Sequence, residues 1–200
     1  MSSTVLIVGL GNPGPAYAAT RHNVGQMVLD VMASRADGRF SAAKRATAQV
    51  IEGHLGTPGS ATRAILAKTT CFMNVSGGPV AALAQYYSVQ PQRIMVVHDE
   101  VDLDFGTVRL KQGGGEGGHN GLRDITKALG TKDYQRVRIG VGRPSGRQDT
   151  ADHVLSPFSA AERRVLDDLL IEGANAAEHL ALHGLIDAQN LFHAREAIRP

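Results

Sequence analysis

Cysteine is almost missing from this chain of 200 residues: Cys71 stands alone, so no internal disulfide can form. A disulfide-stapled extracellular scaffold is therefore not expected. Long apolar runs are missing as well. Hydrophobic residues make up 42% of the sequence, yet they never gather into the roughly 18 consecutive residues that cross a bilayer. Met1-Ser2-Ser3-Thr4 lacks the charged start of a secretory signal and runs directly into an apolar segment. Together these absences point to a cytoplasmic protein with no membrane partner. No G-x-S-x-G elbow occurs, and Cys71 has no identifiable activating partner, so a serine or cysteine nucleophile is not expected. Eight histidines are present, but no metal-ligand spacing is read among them, and neither a metal nor a cofactor is expected. There is no internal repeat.

A large net charge is missing too, since the formal balance is +2. Its distribution is uneven. Asp102 to Arg147 carries nine Lys/Arg against five Asp/Glu, whereas Ala151 to Pro200 carries four against eight. A basic middle beside an acidic tail fits an anionic partner for the middle, although solvated surface charge produces the same pattern.

The length suits one domain covering 1–200, with a core that needs no staples. Val5-Leu6-Ile7-Val8 is a continuous apolar run of the kind found in strands buried on both faces. Val24–Met32 repeats its apolar residues at helical spacing. Residues 36–63 are hard to assign, with strands expected near Thr47–Glu52 and Ala61–Ala67. A helix follows over Gly78–Tyr87, and Asn74 ahead of it has the position of an N-cap. Arg93–Val97 is a second buried strand, ending at His98-Asp99-Glu100. Thr107–Leu110 and Gln135–Gly142 alternate as strands, with Arg136 and Arg138 on one face of the latter. A helix is expected over Leu122–Leu129. Ser159-x-x-Glu162 is a capping-box pattern, and Gly184 is a plausible stop for the helix it opens. Strands and helices in this order predict an α/β fold: a three-layer α/β/α sandwich with a central mixed, mostly parallel sheet. Helices over about 159–198 are expected to pack on the same domain.

Two glycine-rich stretches need a reason. Gly9-Leu10-Gly11-Asn12-Pro13-Gly14 follows the first strand and matches the dinucleotide fingerprint G-x-G-x-x-G. Pro13 weakens the match, because it stands where a helix should begin and offers no N–H. Asp30, at the offset of the fingerprint's acid, lies in a helical segment instead of after a second strand. The second stretch is Lys111 to Gly121, where six of the nine residues from Gly113 to Gly121 are glycine. Such a run cannot be core. It is either a linker or a loop that a ligand approaches closely, and the helical pattern directly after it favours the ligand.

Loops at strand ends then bring five polar residues toward one another: Asn12, His22, Asn74, Asp99 and Asn120. This set contains one base, one carboxylate that can fix the base's tautomer, and three amides. Without a nucleophile beside it, a His–Asp pair suits activation of water, with amides near the developing oxyanion. The chemistry is hydrolysis of a carbonyl compound, most easily an ester.

Four segments in order, GLGNPGPAYAATRHNVG, FMNVSG, HDEVDLDFGTVRLKQGGGEGGHNGLRDI and RIGVGRP, resemble bacterial peptidyl-tRNA hydrolases across most of Val5–Pro144. The resemblance implies an enzyme that cleaves the ester between peptide and tRNA and recycles tRNA from stalled translation. It implies His22 as general base, Asp99 as its orienting partner and Asn120 near the oxyanion. Asn12, Tyr17, Asn23, Met73, Asn74 and His119 would contact substrate, Tyr17 and Met73 from the peptide groove. Lys111 and Arg138 would clamp tRNA phosphate. A monomer acting on the acceptor arm and its attached peptide is expected. Glu116 departs from the pattern, because relatives often carry His there, and a carboxylate facing an anionic substrate would repel it. The acidic tail would lie off the RNA path or carry helices that gate the groove. Two other readings remain: a non-catalytic RNA-binding module, and a nicotinamide-dependent oxidoreductase built on Gly9–Gly14.

Overall fold

The computed structural model of the chain describes residues 4–200; the reading of Met1–Ser3 as free of a signal lies outside them. The apolar run becomes strand β1, Val5–Gly9, with every residue buried. After a loop and a 3-10 turn at Arg21–Asn23 comes helix α1, Val24–Arg35. The segment without a clear pattern supplies β2, Ser41–Ala42, and β3, Ala48–Leu55, followed by β4, Thr62–Thr69. Helix α2 spans Gly77–Tyr86, β5 Ile94–Glu100 and β6 Val108–Gln112. Helix α3, Asn120–Leu129, precedes β7, Gln135–Gly140. Four helices close the chain: α4 Thr150–Val154, α5 Ala160–Arg163, α6 Leu166–His183 and α7 Leu185–His193.

The strands form one seven-stranded sheet in the order β2-β3-β4-β1-β5-β7-β6. Its centre is parallel, with β1 between β4 and β5 and β7 beside β5. The edges are antiparallel: β2 and β3 on one side, β6 on the other. Period-two alternation decides which helices cover which face. Val5, Ile7, Met95, Val97, Val137 and Ile139 pack with α1, α6 and α7. Leu6, Val8, Ile94 and Val96 pack on the opposite side with α2 and α3. The result is the expected three-layer sandwich, and the C-terminal helices are packed on the same sheet.

Three local expectations change. Strand β5 runs on through His98-Asp99-Glu100, so these polar residues belong to the sheet's last pleats. Asn74 caps nothing: it sits inside a 3-10 turn, Met73–Val75, and Ser76 precedes α2 without a side-chain cap. The capping box at Ser159 and Glu162 forms, but the helix it opens stops at Arg163, and the long helix starts again at Leu166.

Candidate active site

A cleft of about 430 Å³ opens beyond the carboxyl ends of β1 and β5. In open α/β sheets this is where ligands bind, because the parallel strands end there and the loops diverge. Asp99, buried with its side chain 1% exposed, stands on the cleft floor. The 3-10 turn before α1 brings His22 against it, with Nδ1 donating to both carboxylate oxygens at 2.9 and 3.0 Å. On the other side His119 Nε2 lies 2.9 Å from Oδ1. Burial pushes the Asp99 carboxyl up, but the two imidazoles outweigh it and hold it well below the usual carboxylate range. It is therefore an anion that fixes the His22 tautomer and leaves Nε2 as the nitrogen free to take a proton.

Asn12 is held by three hydrogen bonds. Its side-chain oxygen accepts from the Met73 N–H at 2.8 Å, which leaves its NH₂ group to the cleft. Its backbone is clamped by Asn23, whose Oδ1 accepts from the Asn12 N–H and whose Nδ2 donates to the Asn12 carbonyl, each at 2.9 Å. Met73, Asn74 and Asn120 also line the cleft, and Asn74 and Asn120 are exposed. The two chain segments that carry Met73 and Asn120 meet closely at Gly121, where a Cβ would stand 2.6 Å from the Met73 sulfur.

Other expected residues sit elsewhere. Asn23, expected to contact substrate, is buried behind Asn12 and is not part of this cleft's lining. Tyr17 is at one remove: its ring meets the Phe72 ring edge-on at 6.2 Å, and Phe72 forms the cleft wall. Lys111 and Arg138 also lie outside the cleft lining, on the β6–β7 edge. Lys111 is opposite Arg136 and Arg138 opposite Arg109, which places four cations on one sheet face. Lys111 Nζ leans on the Gly115 carbonyl at 3.4 Å. Burial, then Arg136 and Arg138, hold its ammonium below the ordinary lysine range. Arg138 is not a free cation: Glu100, on the cleft wall, accepts from it at 3.1 Å.

The glycine-rich loop is shaped from beneath. Arg136, 1% exposed, donates to the Gly115 and Gly114 carbonyls at 2.6 and 3.0 Å. Gly113, Gly114, Gly117 and Gly118 all have φ between +59° and +82°, a region closed to most side chains. Glu116 points to Lys132, 3.5 Å away. Burial works to raise its carboxyl, but its backbone amide, Thr126 and Lys132 together lower it.

Sequence reasoning named no cleft residue in this segment, yet Thr150, Ala151, Val154 and Leu155, from α4 and the residue after it, form another part of the wall. Arg21 anchors this wall, donating to the carbonyls of Ser156 and Pro157 and to Glu162 at 2.7 Å. No local pattern links residue 21 to residues 156–162. The reading of metal-ligand spacing also needs correction: His179 and His183, four apart on α6, stand at H-x-x-x-H spacing with ring centroids 4.3 Å apart. Among the described residues only His22, Asp99 and His119 form a group of three donors, within 4.8 Å of one another.

Residues 6–199 match the model of one protein family, described as Peptidyl-tRNA hydrolase. A protein of that name from Paenarthrobacter aurescens is 58% identical over 197 residues, covering 98% of this chain and all of the relative. One from Pseudarthrobacter chlorophenolicus is 60% identical over 193 residues, covering 96% and 97%. The crystal structure of peptidyl-tRNA hydrolase from Acinetobacter baumannii superposes with a TM-score of 0.85 at 34% identity, over 98% of this chain and 97% of that one.

Proposed function

The chain belongs to the peptidyl-tRNA hydrolase family and hydrolyses the ester bond of peptidyl-tRNA; we propose the following roles for its residues. His22 Nε2 takes a proton from a water in the cleft, and the hydroxide formed attacks the ester carbonyl. Asp99 stabilises the resulting imidazolium through Nδ1–H. The tetrahedral oxyanion is met by the Asn120 amide, while the free NH₂ of Asn12 and the side chain of Asn74 hold the peptide end. Collapse breaks the bond to the ribose oxygen, which takes the proton back from His22. The products are free tRNA and a peptide acid, and no cofactor enters. Each such proton-transfer group contributes roughly 10²- to 10⁴-fold in rate.

The observation that carries this reading is the His22–Asp99 pair on the floor of a cleft, with Nε2 left over for water. Phe72, Met73 and Leu155 suit the apolar parts of a peptide. The cations on the β6–β7 edge suit tRNA phosphate, Lys111 directly and Arg138 after it parts from Glu100. We further propose that the protein works as a cytoplasmic monomer, recycling tRNA from aborted translation.

Purified His22→Gln protein, assayed with a peptidyl-tRNA, is expected to lose at least about 10²-fold in cleavage rate. Its tRNA binding and thermal unfolding should stay near wild type. Cleavage at the normal rate would overturn the base assignment.

A further inference from the structure

His119 is bound at both ring nitrogens, and the pattern of those bonds settles its protonation. Nδ1 accepts from the Leu122 N–H at 3.3 Å, where the side chain caps α3. A nitrogen that accepts carries no proton, so the single ring proton is on Nε2. Nε2 faces Asp99 Oδ1 at 2.9 Å and donates to it. The same oxygen also lies 3.0 Å from His22 Nδ1. One buried carboxylate thus serves two imidazoles with unlike duties: one is free at Nε2, the other is fully engaged.

We propose that His119 is a positioning residue, a neutral Nε2–H donor that draws on the Asp99 carboxylate and so keeps His22 in its proton-accepting form to lower pH. The reasoning is electrostatic. An anion that already holds a charge-assisted hydrogen bond from a second donor attracts the His22 imidazolium less strongly. Without that donor the full charge of Asp99 would favour protonated His22 and remove the base from the active fraction. This role differs from contact with substrate, and it rests on His22 being the base.

Around His119 the groups are neutral or already paired. His98 is fully buried beneath it, ring to ring at 5.0 Å, and donates from Nδ1 to the Asp99 carbonyl at 2.7 Å. Burial holds His98 below its ordinary range, so the floor is uncharged. The remaining charged groups near the pair are already matched: Glu100 with Arg138 across β5 and β7, and Arg21 with Glu162 beyond the 3-10 turn. Buried Arg136 is directed to the loop carbonyls.

Two measurements test the proposal. In the wild-type protein, imidazole ¹⁵N shifts followed against pH should show His119 as the Nε2–H tautomer throughout the range in which His22 gains its proton. If His119 became an imidazolium together with His22, the proposal would fall, whatever the activity. In kinetics, His119→Leu should move the acid limb of kcat/KM up by about one pH unit. His119→Gln, whose amide can still donate to Asp99, should leave the limb near its wild-type position. A lower rate in His119→Leu with the limb unmoved would mean a merely structural part and would overturn the idea. The ¹⁵N titration decides the matter even if His119→Leu does not fold. Active His22→Gln protein would remove the base assignment and this proposal with it, whereas an imidazolium at His119 beside inactive His22→Gln would remove only the proposal.

Discussion

Asn23 shows how a residue can shape the cleft from outside it. Its amide closes a two-bond clamp on the backbone of Asn12, and the Asn12 side chain is then steered by the Met73 N–H. Asn23→Leu would leave a buried N–H and a buried carbonyl unpaired, each costing about 1–3 kcal/mol. The expected result is a loss of about 2–4 kcal/mol of stability in denaturant titrations. The rate should also fall, because Asn12 loses its orientation. Asn23→Asp keeps the acceptor but sets a buried carboxylate oxygen against the Asn12 carbonyl, so it should be no milder. Glu116 is the opposite case, a residue whose sequence position suggests conflict and whose placement removes it. It turns toward Lys132 and Thr126, so its negative charge is matched within the fold.

At the scale of elements, the turn that carries His22 depends on how closely α1 is seated on the sheet. Gly25, in the first turn of α1, has backbone where a Cβ would stand 2.1 Å from the Val97 carbonyl oxygen. A Cβ on Gly9 of β1 would in turn meet the Gly25 carbonyl at 2.5 Å. These glycines are required by close approach of backbone to backbone, and neither has positive φ. Gly25→Ala must push α1 outward and take His22 away from Asp99. Overpacking of this kind costs about 1–3 kcal/mol. The variant is expected to melt lower and to lose activity by more than its folded fraction explains, as thermal unfolding and assays at saturating substrate would show. The break between α5 and α6 has a related origin. Arg21 draws Ser156, Pro157 and Glu162 toward the site, so the capping box at Ser159 begins a short helix tied to the cleft wall while α6 follows the sheet.

For the molecule as a whole, charge is arranged by face. Arg109, Lys111, Arg136 and Arg138 share one side of the β6–β7 edge, and the acidic C-terminal helices α6 and α7 lie across the sheet. If tRNA phosphate is held there, affinity falls with salt through counterion release, and Lys111→Ala should reduce the slope of log K against log salt by about one. Filter binding across a salt series reads this directly, and an unchanged slope would remove Lys111 from the phosphate path. Acid stability follows from the buried anion. The Asp99 carboxyl is lowered in the folded protein, so the folded state gains from it above the unfolded value of about 3.9 and loses that gain as pH falls further. Urea midpoints should therefore drop more steeply below about pH 4 in wild type than in Asp99→Asn.

Local pattern by itself determined a good deal of this protein. The apolar runs of β1 and β5, the helical spacing of α1 and α3 and the capping box are short-range signals, and each forms where the sequence placed it to within a few residues. The polar residues after those strands were legible because parallel strands end at one rim, and a rim collects what its loops carry. Beyond that the sequence was silent. It held no sign that His119 and His22 share one carboxylate, that Asn23 stands behind Asn12, or that Arg138 is engaged by Glu100. Nor did it show that residues 150–155 wall the cleft from more than a hundred positions away from His22. Those relations depend on which strand lies beside which and on how closely backbones approach at Gly9, Gly25 and Gly121. A local pattern specifies the face that a residue shows, and only packing in three dimensions decides what that face meets.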